Sequence, residues 1–139
     1  MHSRMIGDYG GVVNPMPWFA TLFVLFAMAN AGLPGTSGFV GEFMVALAAF
    51  QASPWVAAAA ALTLILGAAY TLWLVKRVIF GPEASPEVKA LGDLRPHEAL
   101  TLVGFAVFVL LIGVWPAPVV ELMDAAVAEL IARIGGRGA

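Results

Sequence analysis

From Tyr9 to Val75 this chain carries a single formally charged side chain, Glu42. A tract of that length without charge cannot cover itself in water. Soluble domains hold roughly a quarter of their residues as Asp, Glu, Lys and Arg, whereas this chain holds 12% and is 61% hydrophobic. For most of it the solvent is lipid. Three uncharged stretches organise the sequence: Tyr9 to Gly41, Phe43 to Val75 and Ala99 to Val120. A hydrocarbon core about 30 Å thick takes about 20 helical residues, so Pro54 to Val75 makes one span and Ala99 to Trp115 another. Trp18, Trp55, Trp73 and Trp115 fall near segment ends, where amphipathic rings favour the headgroup zone.

The first tract is too long for one straight helix. From Pro15 to Gln51 it would reach about 55 Å at 1.5 Å per residue, and it must break. The break is written in Gly32-Leu33-Pro34-Gly35-Thr36-Ser37-Gly38, since proline lacks a backbone donor and glycine permits positive φ. This predicts helical pieces over about Pro17–Ala31 and Phe39–Phe50. They form either a hairpin of two short spans or one discontinuous span, and loop charge arbitrates. With one broken span, Arg4, Lys76, Arg77, Lys89 and Arg95 share a side against Arg133 and Arg137. A hairpin would split them almost evenly. The charge rule therefore puts residues 1 to about 14 and 76 to 97 in the cytoplasm and the tail in the periplasm.

The expected fold class is all-α: an integral membrane helical bundle with one discontinuous transmembrane helix over about 15–51, two continuous transmembrane helices over 54–77 and 97–115, and a C-terminal amphipathic surface helix over 117–134. The connection 78–96 carries Pro82, Pro86, Pro96 and mixed charges, as a solvated loop does. After Pro116 and Pro118, Val119, Val120, Met123, Val127, Leu130, Ile131 and Ile134 recur at helical spacing, with Glu121, Asp124, Glu129 and Arg133 between them.

Several functions drop out. The chain has no cysteine, hence no disulfide, thiolate metal site or cysteine nucleophile. His2 and His97 lie at opposite ends of the map and imply no metal site. There is neither a G-x-x-x-x-G-K-[ST] loop nor a G-x-G-x-x-G fingerprint, and no basic cluster for nucleic acid. Arg4 and the Ala29-Asn30-Ala31 triplet imitate a signal peptide. Cleavage there would leave another string of hydrophobic segments, and Asp8 suits a basic leader poorly.

Glu42 is the candidate proton-translocation residue. A carboxylate at membrane depth costs several kcal/mol unless protonated, paired or hydrated, so it faces a bundle interior or a water path. It follows directly on a helix break, where free backbone groups are tolerated only if protein or water satisfies them. That pairing is characteristic of ion-translocating transporters. In the plainer alternative, Gly35 and Gly38 merely allow tight packing and Glu42 pairs with a lysine elsewhere. Asn30, Thr36 and Ser37 either line water or satisfy the exposed backbone. Asn30 and Lys76 are candidates for a polar path, although Lys76 and Arg77 end their span and most simply snorkel to headgroups. Thr63, Tyr70 and Thr71 read as helix–helix hydrogen-bonding groups. His97, before Glu98 at a helix start, reads as a capping or interface residue.

The run Ala31-Gly32-Leu33-Pro34-Gly35-Thr36-Ser37-Gly38-Phe39-Val40-Gly41-Glu42-Phe43 resembles the late broken-helix segment of the antiporter-like chain M, or subunit 4, family of proton-pumping NADH-quinone oxidoreductase. The resemblance extends upstream through His2-Ser3-Arg4, Tyr9-Gly10-Gly11 and Met16-Pro17. Downstream it takes in Ala69-Tyr70-Thr71-Leu72-Trp73, Arg77, Phe80-Gly81-Pro82 and Gly113-Val114-Trp115-Pro116. It implies that Glu42 is the carboxylate of a proton exit path, with Gly32, Pro34, Gly35, Thr36, Ser37 and Gly38 forming the supporting break. Related antiporter-like chains usually have lysine there, so glutamate favours chain M. Family members are several times longer, and this chain looks like their last helices and tail, a fragment not expected to pump alone. The resemblance also implies membrane-arm partners, including a neighbouring antiporter-like subunit at the tail helix. It implies no cofactor in this chain, with NAD, FMN, iron-sulfur clusters and quinone held by other subunits. The alternatives are a subunit of a sodium (cation)/proton antiporter and a small structural or assembly membrane protein.

Overall fold

The computed structural model describes residues 5–83 and 85–135. Arg4 and Arg137, which enter the charge count, lie outside the described residues, as do His2 and Ser3. A 3-10 turn, Ile6–Tyr9, leads into α1 (Pro17–Asn30), α2 (Ser37–Ala52), α3 (Pro54–Val78), the short α4 (Pro86–Lys89), α5 (Pro96–Val114) and α6 (Ala117–Gly135). The fold is all-α, an integral membrane helical bundle in which α3 and α5 are long and apolar enough to cross a bilayer.

α1 and α2 are both too short to span alone, and α3 orders them. Ser53 is the one residue between α2 and α3. It is extended, and Pro54 opens α3 where a missing backbone donor costs nothing. α2 therefore folds back along the first part of α3, with Glu42, Val45 and Ala46 opposite Ala60, Thr63 and Leu64. α1 packs along the rest. Asn30 meets Tyr70 and Thr71, and upstream of α1 the N–H groups of Val12 and Val13 donate to the carbonyl of Val78, which ends α3, and to that of Ile79 just beyond it, at 3.2 Å each. The two pieces thus follow one another along one partner helix, as a single discontinuous span requires.

The best-packed region is at one end of the bundle. Val12, Ala20, Ala27, Val75, Ile79 and Val88 form its core, with Ile79 and Val88 fully enclosed. Sequence patterning predicts a solvated loop over 78–96; the structure builds Val88 of that loop into the core and folds α4 within it. Lys89 lies 2.6 Å from Glu83, and its hydrogen bond and charge hold that carboxyl below the usual carboxylate range. Elsewhere the helix flanks are exposed, as surfaces facing lipid or neighbouring chains are. Trp55 and Trp73 are 18 positions apart on α3, about 27 Å at 1.5 Å per residue, close to the hydrocarbon thickness. Arg77, one turn beyond, lays its guanidinium 4.6 Å from the Trp73 ring centroid. In α6 every described residue from Glu121 to Ile134 is exposed, with Met123, Val127, Leu130, Ile131 and Ile134 along one side.

The broken helix and its carboxylate

The break consists of two linked backbone motifs. At the end of α1, Gly32 N–H donates to Ala29 O (3.3 Å) and Leu33 N–H to Met28 O (3.0 Å), with Gly32 at φ +78. This is a Schellman closure, which needs a residue free to enter the left-handed region. Leu33-Pro34-Gly35-Thr36 then makes a turn, with Thr36 N–H on Leu33 O at 3.1 Å and Gly35 at φ +90. Proline followed by glycine is the chemistry of a type II turn. The Thr36 hydroxyl donates to the same Leu33 carbonyl at 2.6 Å and is buried, so the N–H groups of Gly32, Leu33 and Thr36 and the Leu33 carbonyl are satisfied within the break itself. Ser37 and Gly38 belong to the first turn of α2 rather than to the break. A Cβ on Gly38 would overlap the Ala29 carbonyl oxygen, which is why the two pieces can meet so closely.

Glu42 returns over this turn. Its carboxylate lies against Gly32, in space that a Gly32 side chain would occupy. It is half-buried and lines a cleft of about 250 Å³ with Gly41, Val45, Ala46, Ala60, Thr63 and Leu64. Among the described residues the ion pairs are Lys89–Glu83 and Arg133–Glu129, and none of their cations pairs with Glu42. Asn30 closes α1 beside the break, its amide donating to Thr71 at 3.1 Å and Tyr70 at 3.4 Å. Gly32, Pro34, Gly35, Thr36, Ser37, Gly38, Asn30 and Glu42 are therefore brought together. Lys76 is not. It is exposed in the last turn of α3, roughly 20 Å along the axis from the α3 residues facing Glu42.

The chain that carries this site is similar to known proteins over most of its length. The profile of the family described as NADH:quinone oxidoreductase/Mrp antiporter, TM, matches residues 1–67. NADH-quinone oxidoreductase subunit M of Rhodobacter capsulatus is 47% identical over 131 residues, covering 94% of this chain and 26% of the relative. NADH-ubiquinone oxidoreductase chain 4 of Marchantia polymorpha is 44% identical, covering 93% and 26%. The chain belongs to this antiporter-like family. Its fold is similar to part of respiratory complex I from Thermus thermophilus with bound NADH, at TM-score 0.68 and 38% identity over 80% of this chain and 23% of that one. The chain thus spans about a quarter of the length of the family members it matches.

Two residues that hold the broken helix escape sequence reasoning. One is Asp93. Its Oδ2 accepts from Trp18 N–H at 2.9 Å and its Oδ1 from Phe19 N–H at 3.2 Å and Leu94 N–H at 2.8 Å, so a loop carboxylate caps α1 from far along the chain. A signal existed: Met16 precedes Pro17 where Ser, Thr, Asp or Asn would normally cap, leaving the first donors of α1 to find an acceptor elsewhere. Loss of hydration works to raise the pKa of Asp93, but the three N–H groups outweigh it and the carboxyl sits below the usual carboxylate range. A folded-state pKa below the unfolded one gives stability that is present above the unfolded value and lost as pH falls through the folded one. Asp93→Ala is therefore expected to lower the thermal unfolding midpoint of the detergent-solubilised protein at neutral pH, with the gap to wild type closing only below about pH 4. The other residue is Gly113, near the end of α5. A Cβ there would overlap Gly35 O and Thr36 Cα, so α5 is seated directly on the turn.

Proposed function

We propose that this chain is part of the proton-translocating membrane arm of NADH-quinone oxidoreductase, where electron transfer from NADH to quinone drives protons through Glu42. The observation that carries it is the placement of a carboxylate against Gly32 in a discontinuous helix, with no ion pair to it among the described residues, within a chain of this family. Such a group exchanges protons when its surroundings shift between water and protein, and local closure of the backbone at the break lets those surroundings change without unravelling either helix. NAD, FMN, iron-sulfur clusters and quinone belong to other subunits in this reading, and the partners are the other membrane-arm subunits, neighbouring antiporter-like chains and lipid.

The test is an assay of inverted vesicles carrying the complete subunit within its complex. Acidification driven by NADH and indifferent to sodium is expected. Sodium-dependent exchange in the absence of NADH would instead identify a cation/proton antiporter subunit, and no proton movement traceable to this subunit would leave a structural role.

The reading includes an orientation in a bacterial-type inner membrane, with the 78–96 connection cytoplasmic and the tail periplasmic. Because the chain has no cysteine, one introduced here is the only thiol within these residues, and its labelling is read against the unsubstituted complex. Lys89→Cys, at a well-exposed position, is expected to react with a membrane-impermeant maleimide in inverted vesicles and to stay unlabelled in intact spheroplasts. The opposite pattern reverses the topology.

A further inference from the structure

Thr71 differs from the other threonines. Thr21, Thr63 and Thr101 each turn the hydroxyl onto a carbonyl of their own helix, those of Pro17, Ala60 and His97, at 2.9, 2.7 and 2.9 Å. Thr36 does the same with Leu33. That local bond is the usual use of a threonine hydroxyl in an apolar setting. The Thr71 oxygen, only 4% exposed at the residue level, instead accepts from the Asn30 amide, and the same amide reaches the Tyr70 oxygen. A side-chain NH2 can only donate, so both hydroxyl oxygens serve as acceptors; the Thr71 hydroxyl is in turn hydrogen-bonded to Tyr70, and the hydrogen left to be given away is that of the Tyr70 hydroxyl.

The two hydroxyls border a cleft of about 530 Å³ between α1, α3 and α5, whose other walls include Phe19, Phe23, Phe26, Leu74 and Leu102. The lining is mostly apolar, and Asn30, Tyr70 and Thr71 are the polar groups on it that can hold water. Thr63, Gly67, Tyr70 and Leu74 recur at the spacing of one helix side, and Thr63 lines the Glu42 cleft. Between the two clefts stands Gly67, where an added Cβ would meet nothing nearer than the Tyr70 ring edge at 4.0 Å. On the other wall, Gly32 follows Asn30 by two residues and touches the Glu42 carboxylate.

We propose that Tyr70 and Thr71, oriented by Asn30, are a hydroxyl relay carrying protons between the α1–α3–α5 cleft and Glu42. This rests on the reading of Glu42 as the translocating carboxylate and adds the residues that feed it. A hydrated proton in the cleft gives its extra proton to the hydroxyl oxygen and is left as water, while that hydroxyl releases its own proton to water beside Gly67, which passes one on to the carboxylate. Each O–H broken is matched by one formed, the hydroxyl is restored, and one proton has moved. Lys76, at the far end of α3, takes no part.

The test uses the complete complex reconstituted in vesicles. Tyr70→Phe with Thr71→Val keeps both side-chain shapes and removes both hydroxyls. The initial rate of NADH-driven proton translocation per assembled complex is expected to fall roughly 10- to 100-fold, the lower part of what a positioned proton-transfer group contributes. Reverting position 71 to Ser is expected to restore much of it, and Thr101→Val, which removes a back-bonded hydroxyl, to leave it unchanged. Normal translocation in the double variant, with Glu42→Gln inactive beside it, overturns the relay and leaves the role of Glu42 standing. Normal translocation in Glu42→Gln overturns both. Should the double variant fail to assemble, Gly67→Leu, which keeps both hydroxyls and fills the gap, is expected to give the same slowing, and full activity there overturns the proposal.

Discussion

Glu42→Gln is expected to abolish proton translocation by the complex while leaving the subunit folded and assembled. Glutamine has nearly the same shape and keeps one acceptor oxygen, so the cleft against Gly32 stays filled. It cannot take up or release a proton near neutral pH, and the transfer step it replaces is expected to slow by at least about 100-fold. Stability is expected to move in the opposite sense. No cation of the described residues offsets the carboxylate, and an unpaired charge away from water is costly, so the neutral amide is expected to leave the unfolding midpoint equal to wild type or slightly higher. Loss of pumping with retained stability separates a proton carrier from a structural carboxylate, whose replacement would shift stability and spare pumping. Glu42→Asp sharpens the contrast. It keeps the titratable group but withdraws it by about one methylene from Gly32, so partial translocation is expected. Initial rates of acidification in inverted vesicles, normalised to assembled complex, give the first comparison, and thermal unfolding in detergent gives the second.

The break was legible because its cause is local. Gly32, Pro34 and Gly35 carry their backbone requirements in their own chemistry, and these residues make the Schellman closure and the following turn. The second predicted piece starts two residues late, at Phe39 in place of Ser37, because Ser37 and Gly38 look like loop residues, whereas Thr36 already flanks α2 and Gly38 is needed for close approach to Ala29. Glu42 was legible for a different reason, as the lone charge in an uncharged tract. What holds the break in place was not legible. Asp93 reaches Trp18 and Phe19 across the fold, and nothing in the periodicity of either segment records that pairing. Tyr70 and Thr71 read as helix–helix hydrogen-bonding groups, which their bonds to Asn30 bear out, but the link between the two hydroxyls and the hydrogen it leaves on Tyr70 depend on the direction of those bonds. Gly113 reads as one small residue in a transmembrane span until α5 is seated on Gly35 and Thr36.

Gly113 and Gly104 lie on the same helix, and the same substitution at the two is expected to have opposite signs. Alanine in a helix interior is favoured over glycine by about 0.8–1 kcal/mol through backbone entropy. At Gly104 an added Cβ meets nothing within 4 Å, so Gly104→Ala is expected to raise stability by up to about that amount. At Gly113 the same methyl would overlap the Gly35 carbonyl oxygen and the Thr36 Cα, both backbone atoms that no side-chain rotation can move. Overpacking costs typically 1–3 kcal/mol and occasionally more, and a backbone clash belongs at the upper end, so the net for Gly113→Ala is a loss of about 2 kcal/mol; Gly113→Val, with two further methyls, is expected to lose more. Unfolding midpoints of the two alanine variants in one detergent, scanned side by side, check the sign directly. There is a functional corollary. The turn bearing on α5 is the one that Glu42 covers, so the strain at Gly113 is relieved by moving Gly35 and Thr36, and with them the wall against which the carboxylate rests. Gly113→Ala is therefore expected to slow proton translocation per assembled complex, while Gly104→Ala leaves it unchanged. A stabilised Gly113→Ala would mean that α5 does not bear on the break, and the coupling between α5 and the carboxylate would go with it.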